Sequence, residues 1–367
     1  MLKLQENCTW GILDNHSFGG DAKNVTVMGQ SAGAVNLLAL MTSPKSKDLF
    51  HKAIPLSGGI SLTSNLPPGR QGALSPAPIY LQQANSLIEK LLLADGLVKD
   101  LSNAKSYVST QTPSQIANYL RSKDAKTILT TMHVNGLGGS GPILDDVIVP
   151  VDPIAAISNG KYMKVPTIVG ITRDEGKLFS SLLTIFGGKP GMKIDTRELI
   201  NKMYNFNSET NPNLTTADIL DNSYLPVNKP NTGYDALTKL ITDYTFKGNM
   251  DNLLNTMKLQ QSNIWVYQFD WAQEPYPWNE VYGAAHGIDL PFVFGNFGSS
   301  VLSNVINSKA NQSGRLELSN AMINSIAAFM RNGDPNSSTL GTIWTPWPAK
   351  LNFDASLTEA KISISDQ

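Results

Sequence analysis

Ser31 stands in Gly29-Gln30-Ser31-Ala32-Gly33, a Gly-x-Ser-x-Gly pentapeptide lying where the short run Val25-Thr26-Val27-Met28 gives way to the apolar stretch Ala34-Val35-Asn36-Leu37-Leu38. A hydroxyl is a useful nucleophile only when it is exposed, aimed at the substrate and within reach of a base, and a sharp strand-to-helix turn supplies the first two conditions. Gly29 and Gly33 are expected to permit that turn, because a side chain at either place would collide with the reversing backbone. The serine then sits at a helix N-terminus, whose unpaired N–H groups favour developing negative charge.

A serine nucleophile needs a histidine to take its proton, and the histidine needs a carboxylate to hold the ring and stabilise its charged form. The chain has four histidines. His16, His51 and His133 read as surface or packing residues, whereas His286 lies in Gly283-Ala284-Ala285-His286-Gly287-Ile288-Asp289, after the strand candidate Ile264–Phe269. A loop after a late strand is where such a histidine belongs. The acid should leave an intermediate strand, and Val165–Ile171 runs into Thr172-Arg173-Asp174-Glu175-Gly176. Spacing alone does not choose between Asp174 and Glu175, which would also serve simply to charge the start of a helix.

These residues need a scaffold, and strand candidates at Val25–Met28, Ala53–Leu56, Val165–Ile171 and Ile264–Phe269 recur between helical stretches. Apolar residues at three-to-four spacing predict helices over Ala32–Met41, Tyr80–Leu93, Ala236–Phe246 and Leu316–Met330. Wide strand spacing with helices between predicts an α/β fold with a mainly parallel sheet flanked by helices, spanning residues 1–367 as one domain. Residues 61–164 are punctuated by Ser, Pro and Gly and read either as surface connection or as a lid over the carboxyl ends of the strands. Of the 367 residues, 41% are hydrophobic and only 16% charged, with a formal net charge of −1, so a nucleic-acid-binding stripe is excluded. Apolar runs fall far short of the ~20 residues that span a bilayer. The single cysteine, Cys8, excludes an intrachain disulfide and a cysteine metal cluster.

The blocks together resemble the type-B carboxylesterase family of cholinesterases and para-nitrobenzyl esterases. They are Phe18-Gly19-Gly20-Asp21 with the Ser31 elbow, Pro55-Leu56-Ser57-Gly58, Gly141-Pro142-Ile143-Leu144-Asp145, Asp174-Glu175-Gly176, His286-Gly287 through Gly295, and Gly333-Asp334-Pro335-Asn336 with Trp347-Pro348. The resemblance implies an α/β-hydrolase fold and hydrolysis of a small-molecule carboxylic ester by a Ser31–His286–Glu175 triad, since the family's acid is the Glu of Asp-Glu-Gly. It implies no metal and no organic cofactor. Ser57 and Asp289 are similar to family groups that hydrogen-bond around the acid and the histidine. Leu178, Phe179, Leu182, Leu183 and Phe186 would line an acyl pocket, and Trp271, Tyr276 and Trp278 would wall the approach to His286.

Against the family pattern, the amino-terminal third and its oxyanion loop have no counterpart before Ser31, so Ala32 N–H is the one evident oxyanion donor. Losing such a donor typically slows an enzyme ~10²–10³-fold. Gly138-Gly139-Ser140-Gly141 is a poor substitute loop, and Leu2–Asn7 and Trp10–Asp14 resemble family segments in the wrong order. The same loss would leave Val25–Met28 as an exposed sheet edge, through which the chain would self-associate. The competing readings are a catalytically impaired scaffold and a non-catalytic binding protein.

Overall fold

The computed structural model describes residues 19–138, 141–210 and 213–365; Cys8, His16, Phe18, Gly139, Ser140 and the segments 2–7 and 10–14 lie outside them. Six strands form one sheet in sequential order: β1 (Thr26–Gln30), β2 (Lys52–Leu56), β3 (Thr167–Thr172), β4 (Ile264–Phe269), β5 (Lys350–Ala355) and β6 (Ala360–Ser365). The first five run parallel and β6 turns back antiparallel on β5. Parallel neighbours need long crossovers, and the helices that supply them cover both faces.

Alternation along the strands divides the apolar side chains between two cores. Leu56, Ile168, Tyr267, Phe269, Leu351 and Phe353 face the long helix Gln312–Asn332, which buries Leu318, Met322, Ile326 and Phe329. Ala53, Val169, Ile171, Ile264 and Val266 face the other way. They meet Leu37, Leu38 and Met41 of the elbow helix α1 (Ala32–Thr42), together with Leu253, Leu254 and Met257 of a later helix. Residues on one strand therefore hold two layers at once, which is why β2 and β3 are buried along their whole length. β1 is one of the two edge strands among the described residues, and all five of its positions are only half-buried.

Residues 77–134 fold as four helices, α2 (Ala77–Ala94), α3 (Leu101–Thr110), α4 (Pro113–Arg121) and α5 (Ala125–Val134), around a small cluster of their own at Ile88, Leu92 and Ala104. Downstream, α6 (Tyr234–Ile241) and α7 (Gly248–Lys258) are joined without a break by a π-helical stretch, Thr242–Lys247. The predicted helix Ala236–Phe246 takes in most of α6 and of the π-helical stretch and stops short of α7. Among the described residues no helix is long and apolar enough to cross a membrane.

Candidate active site

The sheet register brings the carboxyl ends of β1 to β4 to one level. Gln30 lies opposite Leu56, Leu56 opposite Gly170, and Thr172 opposite Phe269. Chain leaving those ends carries Ser31, Ser57, Glu175 and His286 in turn, as expected for ligands at the carboxyl edge of a parallel sheet.

Ser31 caps α1 with φ 57° and ψ −122°, a strained conformation for a residue bearing a Cβ, and its N–H donates to the Leu56 carbonyl at 2.9 Å. Strain of that kind persists only where the surroundings impose it, and the elbow closes tightly enough to exclude a side chain at Gly29. A Cβ on Gly29 would lie 2.3 Å from the Gly33 carbonyl oxygen. The expected collision at Gly33 is absent: a Cβ there meets no described atom within 4 Å, because this second residue of α1 points outward. Ala32 and Gly33 are exposed, and Ala32 N–H belongs to the first turn of α1, which has no intrahelical acceptor. Among the described residues Ser31 Oγ has no hydrogen-bond partner.

Geometry distinguishes the two adjacent carboxylates that spacing left open. Glu175 is fully buried. One of its carboxylate oxygens accepts the Thr172 N–H at 2.9 Å and the other closes on His286 Nδ1. Asp174 turns outward, where it pairs with Arg173 at 2.8 Å and accepts the Ala284 N–H at 3.1 Å, pinning the loop that carries His286. The turn that presents Glu175 rests on α6, since Gly176 N–H donates to Thr242 Oγ1 at 2.9 Å at the start of the π-helical stretch. A side chain at 176 would strike the Thr238 carbonyl at 2.1 Å.

His286 is 8% exposed and flanked by two phenyl rings, Phe179 and Phe246, each with its centroid 5.0 Å away. Its second nitrogen, Nε2, lies 3.1 Å from Nε2 of Gln30. Gln30 and Phe246 were not anticipated as neighbours of the ring. Gln30 is the elbow residue next to the serine, but Phe246 arrives through the π winding, which a three-to-four pattern cannot register.

Ser57 and Asp289 need correction. Neither hydrogen-bonds to the acid or the histidine: among the described residues Ser57 Oγ is buried without a partner, and Asp289 accepts from the Tyr267 hydroxyl at 2.7 Å while its other oxygen is unpaired. Tyr267, rising from β4, takes up the Asp289 carboxylate instead. Burial raises the Asp289 carboxyl to about 6; the Tyr267 hydroxyl and the nearby His286 pull it down, and Glu175 pushes it up. Burial likewise lifts the Tyr267 hydroxyl well above its ordinary range, with Asp289 adding to the effect.

The expected pocket walls divide. Phe179 lies against His286, and Leu178 lines a cavity of about 330 Å³ with Met192, Ile194, Leu199 and Tyr282. Leu183, Trp271 and Trp278 are core residues, closed off by the packing beneath the loops, while Phe186 and Tyr276 are exposed. A cleft of about 710 Å³ opens between Thr42–Pro44 and residues 146–163, at the far end of α1 from Ser31, so it lies apart from these groups.

A model of the carboxylesterase family matches residues 14–363. The para-nitrobenzyl esterase of Bacillus subtilis is 26% identical over 333 residues, which cover 91% of this chain and 57% of that one. A Mus musculus cholinesterase is 25% identical over 368 residues, covering 94% and 55%. Among solved structures, a PNB esterase superposes with a TM-score of 0.66 at 21% identity over 99% of this chain and 65% of its own, and a Geobacillus stearothermophilus carboxylesterase with 0.65 at 20% over 98% and 65%. The architecture is therefore the α/β-hydrolase fold, and the chain spans about half the length of the curated relatives it matches.

Proposed function

Because this chain belongs to the carboxylesterase family, we propose that it cleaves carboxylic esters through an acyl-enzyme, with Ser31 as nucleophile, His286 as base and Glu175 as the carboxylate that orients the ring. The observation that carries this reading is the buried Glu175, held between Thr172 N–H and His286 Nδ1 on the side of the ring away from the elbow. A proton fixed on Nδ1 leaves Nε2 to accept. Ser31 Oγ attacks the ester carbonyl as its proton passes to Nε2, and the tetrahedral oxyanion forms against Ala32 N–H. The imidazolium then protonates the departing alcohol, and a water molecule activated by the same nitrogen releases the acid. Substrates are neutral esters of small to medium acids, met by the apolar surfaces of Phe179 and Phe246.

A second reading, acylation without turnover, draws on the exposure of Ala32 and Gly33. A donor in contact with water stabilises an oxyanion less than one in an enclosed site. Pre-steady-state kinetics with a chromogenic short-chain ester distinguish the outcomes. Steady turnover supports the enzyme, a burst of one equivalent without turnover supports the impaired form, and neither, with Ser31 unmodified by mass spectrometry, contradicts both.

A further inference from the structure

We infer that Gln30 is a positioning residue that latches the resting site: its side-chain amide occupies Nε2 of His286, the nitrogen the Ser31 hydroxyl must reach, and has to swing off before the proton can move. The inference rests on the function proposed for Ser31 and His286. Its basis is geometric. Gln30 Nε2 lies 3.1 Å from His286 Nε2, while Ser31 Oγ has no partner among the described residues.

An amide nitrogen donates and does not accept, so the ring nitrogen it meets carries no proton. The ring proton is then on Nδ1, facing Glu175, which is the tautomer a base needs. The amide is also laid along the turn that follows the histidine. Gly287 has φ +80°, and the atoms nearest a Cβ built there are Gln30 Nε2 at 3.5 Å and Gln30 Cδ at 3.9 Å. Gln30 leaves the last position of β1, opposite Leu56, so its reach to the ring is set by the sheet and not by a mobile loop.

The charged groups facing the imidazole are Glu175, at Nδ1, and Asp289. Phe179 and Phe246 cover the ring without charge. Gln30 therefore adds no charge of its own and selects by hydrogen bonding: as a donor it favours the neutral ring.

Gln30→Met keeps the length and removes both hydrogen-bonding functions, and Gln30→Glu replaces the donor with a carboxylate. The rate of Ser31 phosphonylation by an uncharged phosphonate, followed from pH 5 to 9, reads the latch. Gln30→Met is expected to raise the plateau rate about two- to tenfold, the worth of one neutral hydrogen bond, and to move the acid limb to higher pH. Gln30→Glu is expected to move that limb further and to slow labelling near neutrality. Limbs that coincide in all three proteins, or a slower plateau in Gln30→Met, overturn the latch. Should the wild type take no label, the proposed function fails, and the latch is judged on the His286 imidazole resonance, assigned with His286→Asn. Titration at higher pH in Gln30→Glu than in wild type sustains the latch, and coincident titrations overturn it.

Discussion

The two halves of the candidate site are built differently. Glu175 and His286 lie beneath Phe179, Phe246 and the pinned loop at Ala284, with Glu175 fully buried and each oxygen of its carboxylate engaged. Ser31 follows β1, an edge strand among the described residues, is itself followed by two exposed residues, and its hydroxyl has no partner among the described residues. One half is preorganised by packing, the other by backbone strain alone. Burial fixes a hydrogen bond by removing water as a competitor, whereas an elbow fixes only the direction of a hydroxyl.

The largest break falls on the nucleophile. Ser31→Ala is expected to abolish ester hydrolysis and phosphonate labelling, a loss of about 10⁴-fold or more, with an unchanged circular dichroism spectrum; labelling that persists would move the nucleophile elsewhere. On the closed half, Glu175→Gln retains an acceptor for Thr172 N–H but can set an amide donor against His286 Nδ1, favouring the wrong tautomer. It is expected to lower kcat about 10³–10⁴-fold. Asp174→Asn removes the charge of the half-exposed pair with Arg173 but keeps an oxygen able to accept the Ala284 N–H, and should change kcat a few-fold at most. Equal losses in the two variants would contradict the division of labour between adjacent carboxylates.

Stability sharpens the same contrast. Gly29→Ala forces a methyl into the Gly33 carbonyl and is expected to cost about 3 kcal/mol or more in urea unfolding. Asp289 gives a pH-dependent effect. Its folded-state value, about 6, lies above the ordinary aspartate value near 4. Between those values the folded chain binds more protons than the unfolded one, so this group makes stability fall as pH rises through the window. Asp289→Asn keeps an acceptor for Tyr267 and should gain on wild type by on the order of 1–3 kcal/mol between pH 4 and 7, measured by chemical denaturation at both ends. An identical difference at the two pH values would contradict the assignment. Gly33→Ala is the smallest effect, an expected gain of about 0.5–1 kcal/mol from replacing glycine in an open helical position.

How far the fold was legible depended on whether the pattern was local. The strand Ile264–Phe269 was read to the residue, and Thr26–Gln30, Lys52–Leu56 and Thr167–Thr172 to within two positions at each end, because buried parallel strands are short apolar runs bounded by turns. The hairpin of β5 and β6 went unread although Leu351, Phe353 and Ala355 alternate cleanly with Asn352 and Asp354. In the site, the elbow and the strand order pointed to Ser31 and His286, and the family resemblance to Glu175. Spacing alone did not choose Glu175 over Asp174, since that depends on which of two neighbours turns inward, and the burial of Glu175 was not legible. Nor was the partner of Asp289: Tyr267 is 22 residues away and becomes its neighbour only when β4 packs beneath the loop.

The π-helical stretch Thr242–Lys247 has a consequence for chain length. It winds more residues into a turn than the α-helices on either side, and within it Thr242 receives the Gly176 amide while Phe246 covers His286. Removing one residue between these two would let α6 and α7 close into an uninterrupted α-helix with every backbone bond intact. Counted from Thr242, Phe246 would then lie three α-helical residues on, about 300°, in place of four π-helical ones, and its ring would shift against the imidazole. At this point the number of residues, as well as their identity, sets how the ring is covered, so a relative one residue shorter there would conserve every named side chain and leave Phe179 as the ring still held against the imidazole.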